Sequence, residues 1–573
     1  MLNCAMRKRF GILCLVLAGT AGWAQSPEIL RAAMYLGGVS SAEELTEEDI
    51  ETVENARPVN INSPRLRPGV LLSAYQVASV LDYRSRSGDI LSEAELSLVD
   101  GFSEEVVKAL GPFLRFDSQR LPGKADTVGV KSTVIARATL KNAGLKAKLQ
   151  GEFWRAGGAV KHVYGEPFRK LQWSLHGEWT GRRLRVVAGH FNVRYGLGLH
   201  SWTGFMMTSL STVDAFMPRA AGIAPAWSYN PAEIPFGAAA EYNFGMGWHG
   251  SVFGSISGVF GGRAEWTGRY GQAGVTAGYS LTGGFSASID SRWSFMGVQT
   301  AFEAAYGKGS FAGKASVRIP LGESARLAFQ GRAVPSRFTG KKNGEYGLAA
   351  GFEWVSEARR QLSGVTGFGS SVPAHKVSFT LDGALLPLPG TDPRRLQVRG
   401  YATWKWQING LFALDARLTE CYRNYEAPRT DLRGDFRFGT GPWLSVLRLE
   451  AVRCEGWSGL GYIESGYKAD MYAAYLRITG FVVDNWPDRI YVYERDAPGT
   501  FSVPAYYGRG VSLSAVGAAK WRFGGASRED GKASPVRSKR HGFDLRLNLR
   551  AAILLRSGRP TTPTLNLQLQ CNW

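Results

Sequence analysis

The chain has 573 residues, a formal net charge of +20, 71 Gly, and 17 Trp, 22 Tyr and 29 Phe. The length exceeds one small domain, and the aromatic content excludes an intrinsically disordered chain. After residue 24 no apolar run approaches the roughly 18–20 residues of a membrane-spanning helix, which excludes a polytopic helical membrane protein.

The first 24 residues have the pattern of a secretory signal peptide. Arg7-Lys8-Arg9 forms a basic start, an apolar stretch follows from Phe10 to Gly19, and small residues precede a predicted cleavage after Ala24. The alternative is the N-terminal helix of a cytosolic domain. Cleavage also removes two cysteines, neither of which suits a lipoprotein site. The three others have no metal-like spacing, so we expect no metal, cofactor or disulfide scaffold: Cys421, Cys454 and Cys571.

Charge divides the exported chain into two parts of opposite sign. Residues 25–115 hold 15 acidic and 8 basic side chains, a net charge of −7, which leaves +24 for residues 116–573. We predict an acidic helical lead-in over 25–58, a second helical unit over 59–116, a linker over 117–130 and a β-domain over 131–573.

Short helices are predicted before residue 116. Hydroxyl and carboxylate or amide side chains three residues apart have the spacing of capping boxes, which satisfy free backbone N–H groups, at Ser41–Glu44, Ser73–Gln76 and Ser92–Glu95. Ser103 opens a further helix. Val77, Val80 and Leu81 follow at helical spacing and are predicted to share one buried face. Such short helices are stable only when they pack on each other.

After about residue 130 the hydrophobic period changes to two. Phe543–Ile553 and Leu565–Trp573 alternate apolar with polar residues, and similar segments of roughly ten residues recur between turns. A soluble propeller or sandwich would also alternate in this way. Long strands, polar faces rich in Arg, Lys, Gln and Asn, and a final aromatic residue favour a transmembrane barrel instead. Aromatic residues at segment ends are predicted to form interfacial girdles: Trp154, Trp179, Trp202, Trp406, Trp443, Tyr506 and Tyr507.

The predicted fold class is therefore α+β and multidomain. A small all-α unit precedes a large antiparallel transmembrane β-barrel of about 22 strands, within a range of about 18–26. The expected location is the outer membrane, with the helical unit in the periplasm, and outer-membrane lipid is the first expected partner.

The face opposite the apolar one carries more basic than acidic residues. An excess of one charge between low-dielectric walls raises the local concentration of counter-ions, so this face suits passage or docking of an anionic cargo. The alternatives are pairing with carboxylates across strands or contact with acidic lipid headgroups. The candidate lumen residues are Arg318, Arg332, Arg399, Lys405, Arg433, Arg437, Arg546 and Arg550. The acidic residues on that face are fewer: Glu152, Glu178, Asp382, Asp415, Asp435 and Asp544.

Residues 59–115 resemble the helix-hairpin-helix pair of ComEA-type competence proteins. The resemblance rests on Val59–Ser63, Tyr83-Arg84, Gly88, Glu95-Leu96 and Val99–Phe102. The whole layout resembles a largely uncharacterised family of exported Bacteroidota proteins with a signal peptide, this helical pair and an outer-membrane barrel. Within the barrel, the resemblance continues over Gly189–Leu199, Arg489–Glu494 and Phe501–Gly508.

The resemblance implies that a glycine hairpin presents backbone N–H groups to a nucleic-acid phosphate. The first hairpin departs from the motif, because Leu71–Ser73 stands where glycines are expected. The second keeps part of it and supplies the candidate phosphate contacts Gly101, Phe102, Ser103 and Lys108. Residues 57–115 hold 7 basic and 7 acidic side chains, without the basic footprint of a nucleic-acid binder.

No phosphate-binding P-loop, nucleophile elbow or metalloprotease motif is present. His200-Ser201 invites comparison with outer-membrane phospholipases, but neighbours on a strand point to opposite faces, so this pair would not converge without a bulge or loop. We therefore expect a non-enzymatic conduit or scaffold whose helical unit docks a periplasmic partner or the barrel mouth. The alternatives are DNA binding and uptake, and a lipid- or peptide-processing enzyme.

Overall fold

The computed structural model describes residues 27–64, 66–118, 129–204, 209–231, 234–322, 324–338, 344–356, 374–386, 395–523 and 542–573. The predicted signal peptide and most of the predicted linker lie outside these residues. Among the described residues, no helix is long and apolar enough to cross a membrane.

The N-terminal part is helical. Its α-helices are α1 Pro27–Gly37, α2 Glu47–Asn55, α3 Ala74–Ser87, α4 Glu93–Leu96 and α5 Glu104–Leu110. The short strands β1 Val59–Asn60 and β2 Leu114–Arg115 pair in parallel and bring the two ends of residues 59–115 together. Short 3-10 helices are present at Ala42–Glu44, Gly111–Phe113, Phe168–Lys170, Val213–Phe216 and Trp486–Asp488.

One hydrophobic cluster unites the predicted lead-in with the second helical unit. Ala32, Ile50 and Val80 are fully buried in the same core as Leu110. Short amphipathic helices gain most of their stability from such packing, so the described residues 27–118 form a single body. We call this body the plug.

Two details of the plug differ from the expectations. Ser41 makes no side-chain cap, and the helix begins instead at Glu47, where Thr46 and Asp49 form the reciprocal capping box. Ser73 caps α3 through Gln76 as predicted. Leu81 is 47% exposed and was wrongly assigned to the buried face, since only Val77 and Val80 point into the core.

From residue 131 onward the chain is built of long antiparallel strands. They are β3 Lys131–Thr139, β4 Asn142–Gln150, β5 Trp154–Val163, β6 Gln172–Thr180, β7 Leu184–Arg194, β8 Gly222–Pro225, β9 Phe236–Gly245, β10 Trp248–Ser255, β11 Val259–Gly268, β12 Gly271–Ser280, β13 Gly284–Phe295, β14 Val298–Gly307, β15 Ser310–Leu321, β16 Ala325–Val334, β17 Glu345–Val355, β18 Ala374–Leu386, β19 Arg395–Gln407, β20 Phe412–Arg423, β21 Glu426–Thr440, β22 Trp443–Arg453, β23 Trp457–Lys468, β24 Tyr472–Val483, β25 Ile490–Tyr491, β26 Ala505–Tyr506, β27 Gly508–Phe523, β28 Phe543–Arg556 and β29 Thr562–Asn572.

The sheet closes on itself, because β29 pairs with β3 through Leu567↔Ala138 and its neighbours. The predicted barrel is thus confirmed. Among the described residues, 24 strands form the wall, rather than the 22 expected from counting hydrophobic segments. The short strands β8, β25 and β26 are not part of this count, since β8 pairs only with β7 and the other two pair with each other.

The wall is apolar outside and polar inside. Along β24 the exposed residues Leu476, Ile478 and Val482 alternate with the buried residues Arg477 and Thr479. The predicted alternation along β29 is also observed, and Leu565, Leu567 and Leu569 lie on the outer face. An exposed apolar belt around a closed sheet is the pattern of a membrane-embedded barrel, in which no strand edge is left unpaired.

The predicted aromatic girdle needs two corrections. Trp154 and Trp179 are exposed cross-strand partners at the strand ends, as a girdle requires. Trp202 instead lies in a loop beneath Arg194, and Tyr506 is buried with Phe481. Both residues lie in segments that leave the wall, which a count of aromatic residues at segment ends does not detect.

The two ends of the barrel chain, Lys131 and Asn572, lie at one rim because the number of antiparallel wall strands is even. We call this the near rim and the opposite one the far rim. Two long connections start from the far rim: the first inner loop between β7 and β9, and the second inner loop between β24 and β27. Arg477 and Arg550 of the wall's inner face bind the second of these loops.

Candidate functional site

The plug lies in the near-rim half of the barrel lumen. Arg57 donates to the carbonyl of Glu152 in the β4–β5 turn, and Arg67 donates to the carbonyl of Gly181 in the β6–β7 turn. On the opposite side, Lys376 at the start of β18 pairs with Glu105 of α5 at 2.8 Å. These contacts surround the plug on several sides, so it lies within the barrel at the near rim.

A row of glutamates joins the plug to the wall. The row runs along the first turn before α2 and along α2 itself, and each member contacts a basic residue of the barrel. The ion pairs are Glu43 with Arg433 and Arg448, Glu44 with Arg417, Glu47 with Arg137, Glu48 with Arg194, and Glu51 with Lys146. The acidic plug is therefore held by the basic lumen through charge complementarity.

Glu43 is the member of this glutamate row that binds two arginines. Its carboxylate lies 2.9 Å from Arg433 and 2.5 Å from Arg448, and it accepts the backbone N–H of Tyr493 at 3.1 Å. Burial alone would raise the pKa of Glu43, but Arg448 and Arg433 hold it well below the usual value. Asp435 binds the same two arginines from the wall, so the cluster satisfies its charges internally.

Glu54, one turn beyond Glu51, forms no ion pair with the described residues. Burial raises the pKa of its carboxyl to about 7, and Glu51 acts in the same direction against the opposing charges of Lys146 and Lys148. The backbone of Gly499 in the second inner loop donates to it. The plug thus carries one acid whose pKa is raised to about 7 beside the five paired glutamates of the row.

The two inner loops start at the far rim, reach into the lumen and contact the plug. Thr212 of the first inner loop donates to the carbonyl of Gly38 at 2.5 Å. Ser211, next to it, donates to Glu44 at 2.5 Å. From the second inner loop, Phe501 packs against the hydrophobic core of the plug. Three chain segments that contact one another therefore occupy the described part of the lumen.

Most of the predicted lumen cations have acidic partners. Arg318 pairs with Asp214, Arg332 with Glu345 and Asp382, Arg437 with Asp415, and Arg550 with Glu494 and Asp496. Arg433 belongs to the glutamate row. Arg399, Lys405 and Arg546 form no ion pair with the described residues. Much of the positive charge expected to attract a polyanion is thus neutralised by the chain itself.

The candidate phosphate contacts of the second hairpin are used inside the molecule. The Gly101 carbonyl accepts from Gln76 at 2.9 Å, Phe102 is 2% exposed in the plug core, and Ser103 caps α5. Lys108 is exposed.

His200 and Ser201 converge because they lie off the strands, which is the exception that the argument from strand geometry allows. They lie in the first inner loop rather than on a strand, and His200 Nδ1 is 2.6 Å from Ser201 Oγ. His200 Nε2 contacts Ser286 Oγ of the wall at 2.8 Å, so both ring nitrogens are engaged. Glu303 does not contact this imidazole but accepts the backbone N–H groups of Leu197, Leu199 and His200. These contacts anchor the loop to the wall.

Sequence reasoning missed the glutamate row as a docking surface. The usable signal was the opposite net charge of the two parts of the chain, which predicts attraction between them. The described residues hold no cluster of His, Cys, Asp or Glu able to bind a metal ion.

No family model and no curated protein matches this chain. Among solved structures it is similar to the outer membrane protein OpdK from Pseudomonas aeruginosa, with 9% identity, 78% of this chain and 99% of that chain covered, and a TM-score of 0.30. It is also similar to BauA, the ferric preacinetobactin receptor from Acinetobacter baumannii, with 9% identity, 78% and 80% covered, and a TM-score of 0.29. It is similar as well to the FpvAI–pyocin S2 complex, with 10% identity, 78% of this chain and 73% of that chain covered, and a TM-score of 0.36. At these TM-scores the likeness carries no argument about function.

Proposed function

We propose that the protein is a gated, non-enzymatic conduit of the outer membrane, closed in this structure by its own N-terminal plug. The observation that carries the proposal is the glutamate row, in which plug carboxylates from Glu43 to Glu51 bind arginines and lysines of the lumen. Solute passage then requires that the plug shift or leave, and the near rim faces the periplasm.

The buried ion pairs suit a gate because they are strong only while both partners stay in place. Removing one partner of a buried pair leaves an uncompensated charge, which costs several kcal/mol. Separating the whole row exposes charges of both signs to water, where they are solvated again. The ion pairs thereby fix the position of the plug in the closed state without an extensive apolar interface to the wall.

In this proposal residues 59–116 keep the resemblance to a helix-hairpin-helix pair but serve as a docking module. The second hairpin packs internally through Phe102, and Glu105 meets Lys376 of the wall. This arrangement favours protein contact over DNA uptake, because a phosphate would meet a neutral surface with little counter-ion release.

Planar-bilayer recordings of the full-length chain test the gate. We expect the wild type to be largely silent, whereas a Glu43→Lys/Glu51→Lys variant, which replaces attraction by repulsion, conducts with preference for anions. The matched control is Glu93→Lys/Asp117→Lys, which makes the same change in net charge on exposed plug residues and stays silent.

Two results would overturn the proposal. Steady conductance of the wild type equal to that of the Glu43→Lys/Glu51→Lys variant would show that the plug does not close the lumen. Silence of that variant, when protease digestion shows its plug to be released, would favour a scaffold over a conduit.

A further inference from the structure

A cavity of about 160 Å³ lies between the plug and the wall near the near rim. It is bounded by α1 and the start of α3 on the plug, by the first inner loop, and by β12 to β15 of the wall. Residues that define its chemistry are Leu36, Met217, Arg219, Gln272, Arg292 and Ser294. The cavity is thus made by the plug, the first inner loop and the barrel wall together.

Two arginines of this cavity form no ion pair with a described carboxylate. Arg219 donates to the Leu71 carbonyl at 3.1 Å and to the Tyr35 hydroxyl at 2.5 Å. Arg292 donates to two backbone carbonyls of the first inner loop, at 2.7 and 2.5 Å, and its Nε has no hydrogen-bond partner. Both guanidinium groups therefore keep donors that the protein does not use.

The neighbouring carboxylates are committed elsewhere. Asp214 lines the cavity itself but pairs with Arg318, also of the lining, and with Arg326. Asp290 on the strand of Arg292 pairs with Arg263 at 2.5 Å. The cavity consequently has an excess of positive charge, unlike the clusters in which Arg433, Arg448 and Arg550 are neutralised.

We propose that this cavity binds a small organic acid, with its carboxylate against Arg292 and Arg219. A guanidinium group presents a planar fork of donors that matches a carboxylate. Gln272 and Ser294 supply neutral polar groups, while Leu36 and Met217 offer apolar surface for the body of the ligand. A protein cavity of about 150 Å³ holds a molecule the size of benzene, so the volume suits one ring or a short chain.

The apolar surface distinguishes an organic acid from a simple inorganic anion, which would leave that side of the cavity empty. The ligand would touch plug, inner loop and wall at once. This site goes beyond the gating role, since it exists in the closed protein and needs no movement of the plug to be occupied.

Isothermal titration calorimetry on the detergent-solubilised full-length chain tests the site, with benzoate as the probe. We expect saturable binding of one benzoate per chain and no binding of benzamide, which has the same shape without the charge. Arg292→Gln and, separately, Arg219→Gln should each weaken binding on the order of tenfold, as expected for the loss of a charge-assisted hydrogen bond. The control Arg559→Gln, on the far rim, should bind benzoate like the wild type.

Equal binding of benzoate and benzamide would overturn the assignment of an anion site. Absence of benzoate binding to the wild type, or full binding to both cavity variants, would overturn the site itself. Inorganic phosphate that binds as tightly as benzoate would overturn the organic-acid class. Each variant is shown to be folded if its mobility in gel electrophoresis still changes on boiling. None of these results depends on conductance.

Discussion

Glu51 of the plug and Lys146 of the barrel wall form an ion pair of 2.5 Å in which both side chains are almost completely buried. The Lys146 ammonium also donates to the carbonyl of Trp227 at 3.0 Å and lies over the ring of Tyr229. One contact thus connects α2, the first barrel hairpin and the first inner loop. Its residues are 95 positions apart in sequence.

Glu51→Gln should destabilise the folded chain by about 3–5 kcal/mol, because Lys146 is left charged and buried without its partner. The measurement is the free energy of unfolding in urea of the detergent-folded protein. The double variant Glu51→Gln/Lys146→Met should recover part of this loss, since it removes both charges together.

The exposed pair Glu166–Lys170 provides the control for this prediction. Glu166→Gln should cost less than about 1 kcal/mol, as is usual for surface ion pairs. Equal effects of the two substitutions would mean that the Glu51–Lys146 pair is solvated and contributes little to docking.

Glu54 predicts that plug docking strengthens on mild acidification. In the folded protein the pKa of the Glu54 carboxyl is about 7, above its ordinary value of 4.5. Such a group stabilises the folded state fully below about pH 4.5. This contribution is lost as pH rises through about 7. The free energy of unfolding of the wild type should therefore fall more between pH 5.5 and pH 8 than that of Glu54→Gln. The variant lacks the contribution of Glu54.

The exposed acid Glu93 is the matched control for pH dependence. Glu93→Gln should leave the pH profile of the wild type unchanged. A Glu54→Gln profile that coincides with the wild-type profile would show that Glu54 does not titrate in this range. Glu43, whose pKa is lowered, acts in the opposite sense and only at more acidic pH.

Gly204 of the first inner loop predicts a steric effect on the gate. Its φ is +75°, and a Cβ there would overlap the Glu48 carboxylate. Gly204→Ala should therefore combine backbone strain of about 1 kcal/mol with displacement of Glu48 from Arg194. We expect increased proteolysis of the plug in the folded protein.

Gly309 has a similar φ of +72° but open space around the position of a Cβ. Gly309→Ala should thus show the backbone cost without any change in plug proteolysis. If the two variants expose the plug equally, the contact with Glu48 has no part in holding it.

DNA binding can be tested on the full-length chain by mobility shift of a short duplex. We expect no binding that falls steeply with salt, because the plug surface is not basic and Phe102 is buried. Salt-sensitive binding that Gly101→Glu abolishes would instead support the DNA-uptake alternative.

His200 predicts a structural rather than a hydrolytic effect. Its ring nitrogens contact Ser201 and Ser286 and so fix the first inner loop to the wall. His200→Ala should leave hydrolysis of ester and phospholipid probes at the same background as the wild type. Hydrolysis by the wild type that is lost in His200→Ala would contradict the non-enzymatic proposal.

Several features could be predicted from local sequence because they depend on neighbours along the chain. The alternation in Leu565–Trp573 reflects which face of a strand meets an apolar environment, and the structure turns that face outward. Ser73 could likewise be recognised as a helix cap, since its partner Gln76 is three residues away. A large barrel preceded by short helices followed from such patterns.

The amino-acid sequence by itself determined the barrel, its polar interior and the acidic character of the N-terminal part. Only the tertiary structure decided where that part lies and which charges it meets. Glu43 and Arg433 are 390 positions apart, and nothing local specifies their pairing. Closure of the sheet brings distant strands around one lumen. Because an unpaired buried charge is costly there, ion pairs form between residues that are far apart in the chain.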